Sequence, residues 1–72
     1  MEELTFGKLI EKLRKEKDWT IQEFAEIADL SNVEISNIEN NKHKPRPSTI
    51  RKLAIALEYD YSKLYDASRI KK

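Results

Sequence analysis

Few residues of this 72-residue chain could carry out covalent chemistry. With one His, one Gly and no Cys, it offers no nucleophile–base pair, no cysteine zinc site and no glycine-rich phosphate loop. No enzyme and no cofactor are expected. What remains is recognition chemistry, concentrated in two adjoining stretches. "LSNVEISNIENN", residues 30–41, carries Asn32, Asn37 and Asn40 with Val33 and Ser36 between them. An amide side chain donates and accepts hydrogen bonds at once, which suits a partner that presents both kinds of group. The stretch from Asn40 to Leu57 contains no acid, whereas Lys42, Lys44, Arg46, Arg51 and Lys52 are basic. A one-signed segment in a chain of net charge +1 can form a local anion-binding face, although charge runs are more often solvated surface. His43 lies in this polar stretch and reads as a solvated loop side chain.

These residues need a scaffold, and the apolar pattern supplies a helical one. Phe6, Leu9, Ile10 and Leu13 form one stripe, and Ile21, Phe24, Ala25 and Ala28 a second. Ile35 with Ile38, and Ile50, Leu53, Ala54 and Leu57, complete the set. No run alternates as a strand would. The fold class is therefore all-α, with helices expected near 5–17, 21–28, 32–40, 48–57 and 61–66. Thr20 with Glu23, and Ser31 with Glu34, have the spacing of capping boxes, each satisfying two orphan backbone N–H groups. Trp19 with Phe24, and Leu30 with Ile35, have the spacing of hydrophobic staples. Thr5, Ser48 and Asp60 are the expected N-caps of the other helices. Only about three residues separate the second and third helices, which reads as a helix-turn-helix. Pro45 and Pro47 stop helix from running through the next loop.

On a helical wheel of about 100° per residue, Ile35 and Ile38 define the buried direction of the third helix. Val33, Ser36, Asn37 and Asn40 then face outward, with Asn32 on the flank. Glu34 and Glu39 fall about 110° from the outward centre, on the two shoulders and closer to the core than to solvent. The outward face is thus expected to be free of acid. Its chemistry suits base edges: Asn32 and Asn37 match adenine N6 and N7, Val33 can meet a thymine methyl, and Ser36 fits several edges. Without arginine, such a face leans towards A·T pairs.

The residues "WTIQEFAEIADLSNVEISNIENNKHKPRPSTIRKLAIAL" resemble the Cro/phage-repressor helix-turn-helix family, also called the xenobiotic-response-element family. The resemblance rests on T-x-x-E-F-A, L-S, I-S-x-I-E-N, a basic loop with prolines, and T-I-x-K-L-A-x-A-L, over roughly residues 6–65. It implies a compact, lambda-repressor-like five-helix domain whose third helix enters the DNA major groove, usually as a two-fold dimer. It implies that Glu39 pairs with Arg14 of the first helix. It also implies phosphate contact by Asn40. Lys42, Lys44, Arg46 and Arg51 would add cations there, and backbone N–H groups at the starts of the second and fourth helices would add donors. The family commonly opens its second helix with a Gln that contacts phosphate. Ile21 stands there instead, leaving that contact to Gln22 or Thr20. Asp29 stands where the family has its turn glycine, in a left-handed conformation that Gly would adopt at lower cost.

The expectation is therefore sequence-specific binding of double-stranded DNA by a homodimeric prokaryotic or phage transcriptional regulator, repression ahead of activation. The domain is expected over residues 1–68, with a short basic tail, 69–72, holding Arg69, Lys71 and Lys72. No apolar run approaches the roughly 18 residues of a membrane span, so a cytoplasmic, nucleoid-associated protein is expected. The alternative is a protein-interaction module, such as an adaptor or the antitoxin of a toxin–antitoxin pair, using Ile27, Ile55, Tyr59, Tyr61 and Tyr65 towards a protein partner. The acid-free 40–57 stretch beside an acid-free reading face favours DNA, because protein binding needs neither.

Overall fold

The computed structural model describes residues 5–69, so the expected tail beyond Arg69 and the first four residues lie outside the described region. Five helices follow in order: α1 (Phe6–Glu16), α2 (Ile21–Ala28), α3 (Asn32–Glu39), α4 (Pro47–Leu57) and α5 (Tyr61–Arg69). Among the described residues there is no strand, and no helix is long and apolar enough to cross a membrane. Helix α1 packs on α3, α2 packs on both α3 and α4, and α4 packs on α5. The core is Ile10, Phe24, Ala25, Ala28, Ile35, Ile38, Ile50, Leu53, Ala54, Leu57 and Leu64. Phe6, Leu9, Leu13 and Ile21, read from sequence as stripe members, are only partly buried at its edge.

Local chemistry explains where most helices begin. Thr5 Oγ1 accepts from the Lys8 N–H at 3.1 Å. Both capping boxes form. The Thr20 N–H donates to Glu23 Oε1 at 2.8 Å and the Glu23 N–H returns to Thr20 Oγ1 at 3.1 Å. Ser31 and Glu34 repeat this at 2.9 and 3.0 Å. Trp19 stacks on Phe24 with ring centroids 5.7 Å apart, as a staple should. Asp60 Oδ1 accepts from the Ser62 N–H at 3.0 Å at the head of α5. Helix α4 departs from expectation: Arg46, not Ser48, is its N-cap, and no side chain bonds there. Pro47 begins the helix instead of blocking it, because its fixed φ suits the first helical position and its missing N–H would be unpaired there anyway.

The helix ends share one device. Asp18, Asp29, Asn41 and Glu58 all adopt positive φ, between 54° and 62°, after α1, α2, α3 and α4 respectively. Each is followed by a backbone N–H that reaches back five residues: Trp19 to Arg14, Leu30 to Ala25, Lys42 to Asn37 and Tyr59 to Ala54. This closes the last carbonyls of these four helices in a Schellman arrangement. Glycine usually fills such positions, yet the chain's one glycine lies inside α1. Asp and Asn tolerate the conformation better than most residues; Glu58 has no such excuse.

Candidate nucleic-acid interface

Helix α3 has only Ile35, Ile38 and Glu39 buried along its eight residues. A helix this short does not persist alone, so its placement comes from its neighbours. The firmest attachment is to α1. Arg14 Nε donates to Glu39 Oε2 at 2.7 Å and Nη2 to Oε1 at 3.1 Å, a bidentate pair whose side chains are 10% and 7% exposed. The remaining Arg14 Nη1 donates to the Trp19 carbonyl at 2.8 Å, anchoring the α1–α2 turn to the same centre. Glu39 holds the Arg14 guanidinium above its already high usual pKa, so it is charged at any ordinary pH.

A second attachment, through Gly7 and Asn41, is not among the contacts expected from sequence. Gly7 lies against the last carbonyls of α3, so closely that a Cβ there would stand 2.6 Å from the Ile38 oxygen. Its N–H donates to Asn41 Oδ1 at 3.0 Å, and Asn41 Nδ2 donates to Thr5 Oγ1 at 3.0 Å. Asn41 thus ends α3 with its backbone and fastens it to the head of α1 with its side chain. A single glycine within an otherwise good helical pattern was the available clue.

With the tail of α3 held, its other face is presented outward. Asn32 is exposed and Val33 is 67% exposed, while Ser36 and Asn37 are half-buried. Asn40 is exposed, but its Nδ2 already donates to the Ser36 carbonyl at 2.8 Å, leaving Oδ1 as its free group. Beside this face runs a groove between α3 and the head of α4, about 660 Å³ in volume. It is lined by Glu34, Asn37, His43, Lys44, Arg46, Thr49 and Lys52, among others. Lys44 and Arg46 therefore line the same groove as Asn37. Lys42 is exposed, and its backbone N–H closes α3 on the Asn37 carbonyl at 2.9 Å.

The other expected phosphate ligands are scattered. Arg51 does not line the groove; its guanidinium lies over the Tyr61 ring, 5.0 Å from the centroid. Lys52, which does line it, donates to the Asp29 carbonyl at 3.3 Å and lies 3.6 Å from the Asp29 carboxylate. That link ties the α2–α3 turn to α4. Thr20 and Gln22 are exposed at the head of α2, where the Thr20 hydroxyl is engaged with Glu23. Ile21 shares a depression with Lys8, Asn40 and Asn41, so the head of α2 adjoins the tail of α3. Lys8 is a cation there that sequence reading did not single out.

The shoulders of α3 are not equivalent. Glu39 is 8% exposed and faces α1, whereas Glu34 is exposed and lines the basic groove. The wheel put both closer to the core than to solvent. Symmetric angles did not produce symmetric environments, because α1 covers one shoulder and an open groove adjoins the other. The face towards the groove thus contains one acid.

Two short capped helices, joined through a left-handed Asp29 and presenting the outer side of the second, define a helix-turn-helix protein. The helix-turn-helix family model matches residues 10–64, and the chain belongs to that family. It is 38% identical over 64 residues to the uncharacterized HTH-type transcriptional regulator RghRB of Bacillus subtilis, a match covering 88% of this chain and 46% of the relative. It is 41% identical over 61 residues to the HTH-type transcriptional repressor RghR of the same organism, covering 83% and 45%. The competence pilus inhibition repressor of Acinetobacter baylyi is 31% identical over 62 residues, covering 86% and 56%. The chain spans about half the length of the curated relatives it matches.

Proposed function

We propose that this domain binds double-stranded DNA in a sequence-specific manner and serves a transcriptional regulator, repressing by occupying a promoter. Helix α3 enters the major groove. Asn32, Val33, Ser36 and Asn37 meet base edges; Lys42, Lys44 and Arg46 meet phosphates, with Thr20, Gln22, Asn40 and Arg51 on the flanks. The observation that carries this reading is the exposed Asn–Val face of α3 beside a groove walled by Lys44 and Arg46. Support for repression comes from RghR and the competence pilus inhibition protein, both named as repressors. Two copies act on a two-fold operator, in the manner of helix-turn-helix dimers, within the cytoplasm and on the nucleoid.

Selection from random duplexes with the purified protein at moderate salt tests the reading. A palindromic enriched site is the expected result. Failure to enrich any sequence would overturn it and favour a protein-binding role. Binding should weaken with salt, with a log–log slope of about −0.9 for each phosphate neutralised.

A further inference from the structure

Among the described residues, Glu34 is the one acid that lines the basic groove. Its exposed side chain lines that groove beside Asn37, one helical turn on, together with Lys44, Arg46 and Lys52. Oε1 accepts from the Ser31 N–H at 2.9 Å, while Oε2 has no hydrogen-bond partner among the described residues. Among the described residues, no cation of the groove lies within ion-pair distance of it. Capping alone does not require this charge, since Gln completes the same box. A carboxylate without an ion-pair partner, set against a polyanion, weakens binding to every sequence unless some base rewards it.

We propose that Glu34 is a specificity-determining residue that selects cytosine, its free Oε2 accepting a hydrogen bond from the cytosine N4 amino group. The inference rests on the DNA-binding reading. A carboxylate can only accept. In the major groove guanine offers two acceptors, and thymine offers an acceptor and a methyl; both repel or waste it. Adenine has a donor, N6, but the acceptor N7 lies beside it on the same base edge. Cytosine offers a donor without such a neighbour on its own edge. The Ser31 N–H fixes one carboxylate oxygen before DNA arrives, which reduces the ordering cost of the contact. Asn37, on the same side of α3, reads the neighbouring base pair. The negative charge thus penalises wrong sequences as well as favouring the right one.

The test runs the duplex selection in parallel on the wild type, Glu34→Gln and Glu34→Ala, each first checked by thermal melting. Binding titrations follow on the preferred site and on that site with its cytosine replaced. The wild type should prefer cytosine at one position of each half-site, by about ten- to a hundredfold. Glu34→Gln should move that preference to adenine, which an amide matches at N6 and N7, and Glu34→Ala should abolish it. Both variants should bind a scrambled duplex more tightly than the wild type. Identical preferences at every position in all three proteins would overturn the assignment and leave Glu34 a capping residue. A wild type that enriches nothing would instead overturn the DNA-binding reading beneath it.

Discussion

Replacing Glu39 with Ala removes the carboxylate that receives two hydrogen bonds from Arg14, at 2.7 and 3.1 Å. It leaves a guanidinium whose side chain is 10% exposed facing a void. Breaking a buried pair from one side costs about 3–5 kcal/mol, because the surviving charge keeps its desolvation without its partner. Two features place Glu39→Ala near the lower end. Arg14 keeps its bond to the Trp19 carbonyl, and the pair borders the depression lined by Lys8 and Asn40, through which water can approach. Arg14→Ala should cost more, since it also frees that carbonyl and strands the carboxylate. At about 0.05–0.15 kcal/mol per residue, a domain of this size has roughly 4–11 kcal/mol in total, so either loss is a large share. At about 4–8 °C per kcal/mol, the Glu39→Ala melting temperature should fall by about 12–24 °C. Circular dichroism melts and urea titrations of both single variants measure this. The double variant Arg14→Met, Glu39→Leu supplies the control, because with no charge stranded most of the stability should return. Single variants melting within about 3 °C of the wild type would refute the reasoning. A double variant no better than the singles would show that packing, not the stranded charge, was lost.

Gly7→Ala should destabilise the domain by about 2 kcal/mol, although alanine is the better helix former, because the new Cβ must push against backbone of α3; a raised melting temperature would contradict this. Glu58→Gly should gain about 0.5–1 kcal/mol by relieving the left-handed backbone at φ 54°, read as a higher urea midpoint. Asn37→Ala should relax preference at one base position, whereas Lys44→Ala should weaken all duplexes alike and lower the salt slope by about 1. The pH dependence follows from Arg14, whose pKa is raised above its usual value mainly by its hydrogen bonds to Glu39. A raised cationic pKa gives stability that is complete below the unfolded value and lost only as pH rises through the folded one. Melts between about pH 6 and 9 should therefore show no step that disappears in Arg14→Met.

What the sequence made legible was local. Capping boxes, staples and apolar stripes depend on residues three to five apart, so Thr20, Ser31 and Ile35 could be read without knowing any neighbour. Helix α4 starts at Pro47 and not after Ser48 because the fixed φ that makes proline a barrier inside a helix makes it a starting residue at the head of one. The features that the sequence does not make legible all concern contacts across the chain. Asn41 and Gly7 are 34 residues apart and meet only once α1 is laid against the tail of α3. Arg51 reads as one more cation of an acid-free run, and that α5 sets Tyr61 beneath its guanidinium shows only in the fold. Glu34 and Glu39 stand at equal wheel angles, and only tertiary packing tells the buried one from the groove-facing one.

The contacts also divide α3 into two halves with different duties. Among the described residues, every side-chain hydrogen bond between the α1 segment and α3 falls on the C-terminal end of α3 or just beyond, at Glu39 through Arg14 and at Asn41 through Thr5 and Gly7, and Gly7 lies against the Ile38 and Glu39 backbone. The N-terminal half, from Asn32 to Glu34, is exposed and is ordered chiefly by the Ser31 box. A reading surface needs this asymmetry, since the residues that touch bases must be free of protein partners while their axis stays fixed. With only two buried isoleucines, α3 could not fix its own axis. On the DNA-binding reading proposed above, α1 therefore helps to aim α3, and its Gly7 and Arg14 would influence recognition without needing to touch a base.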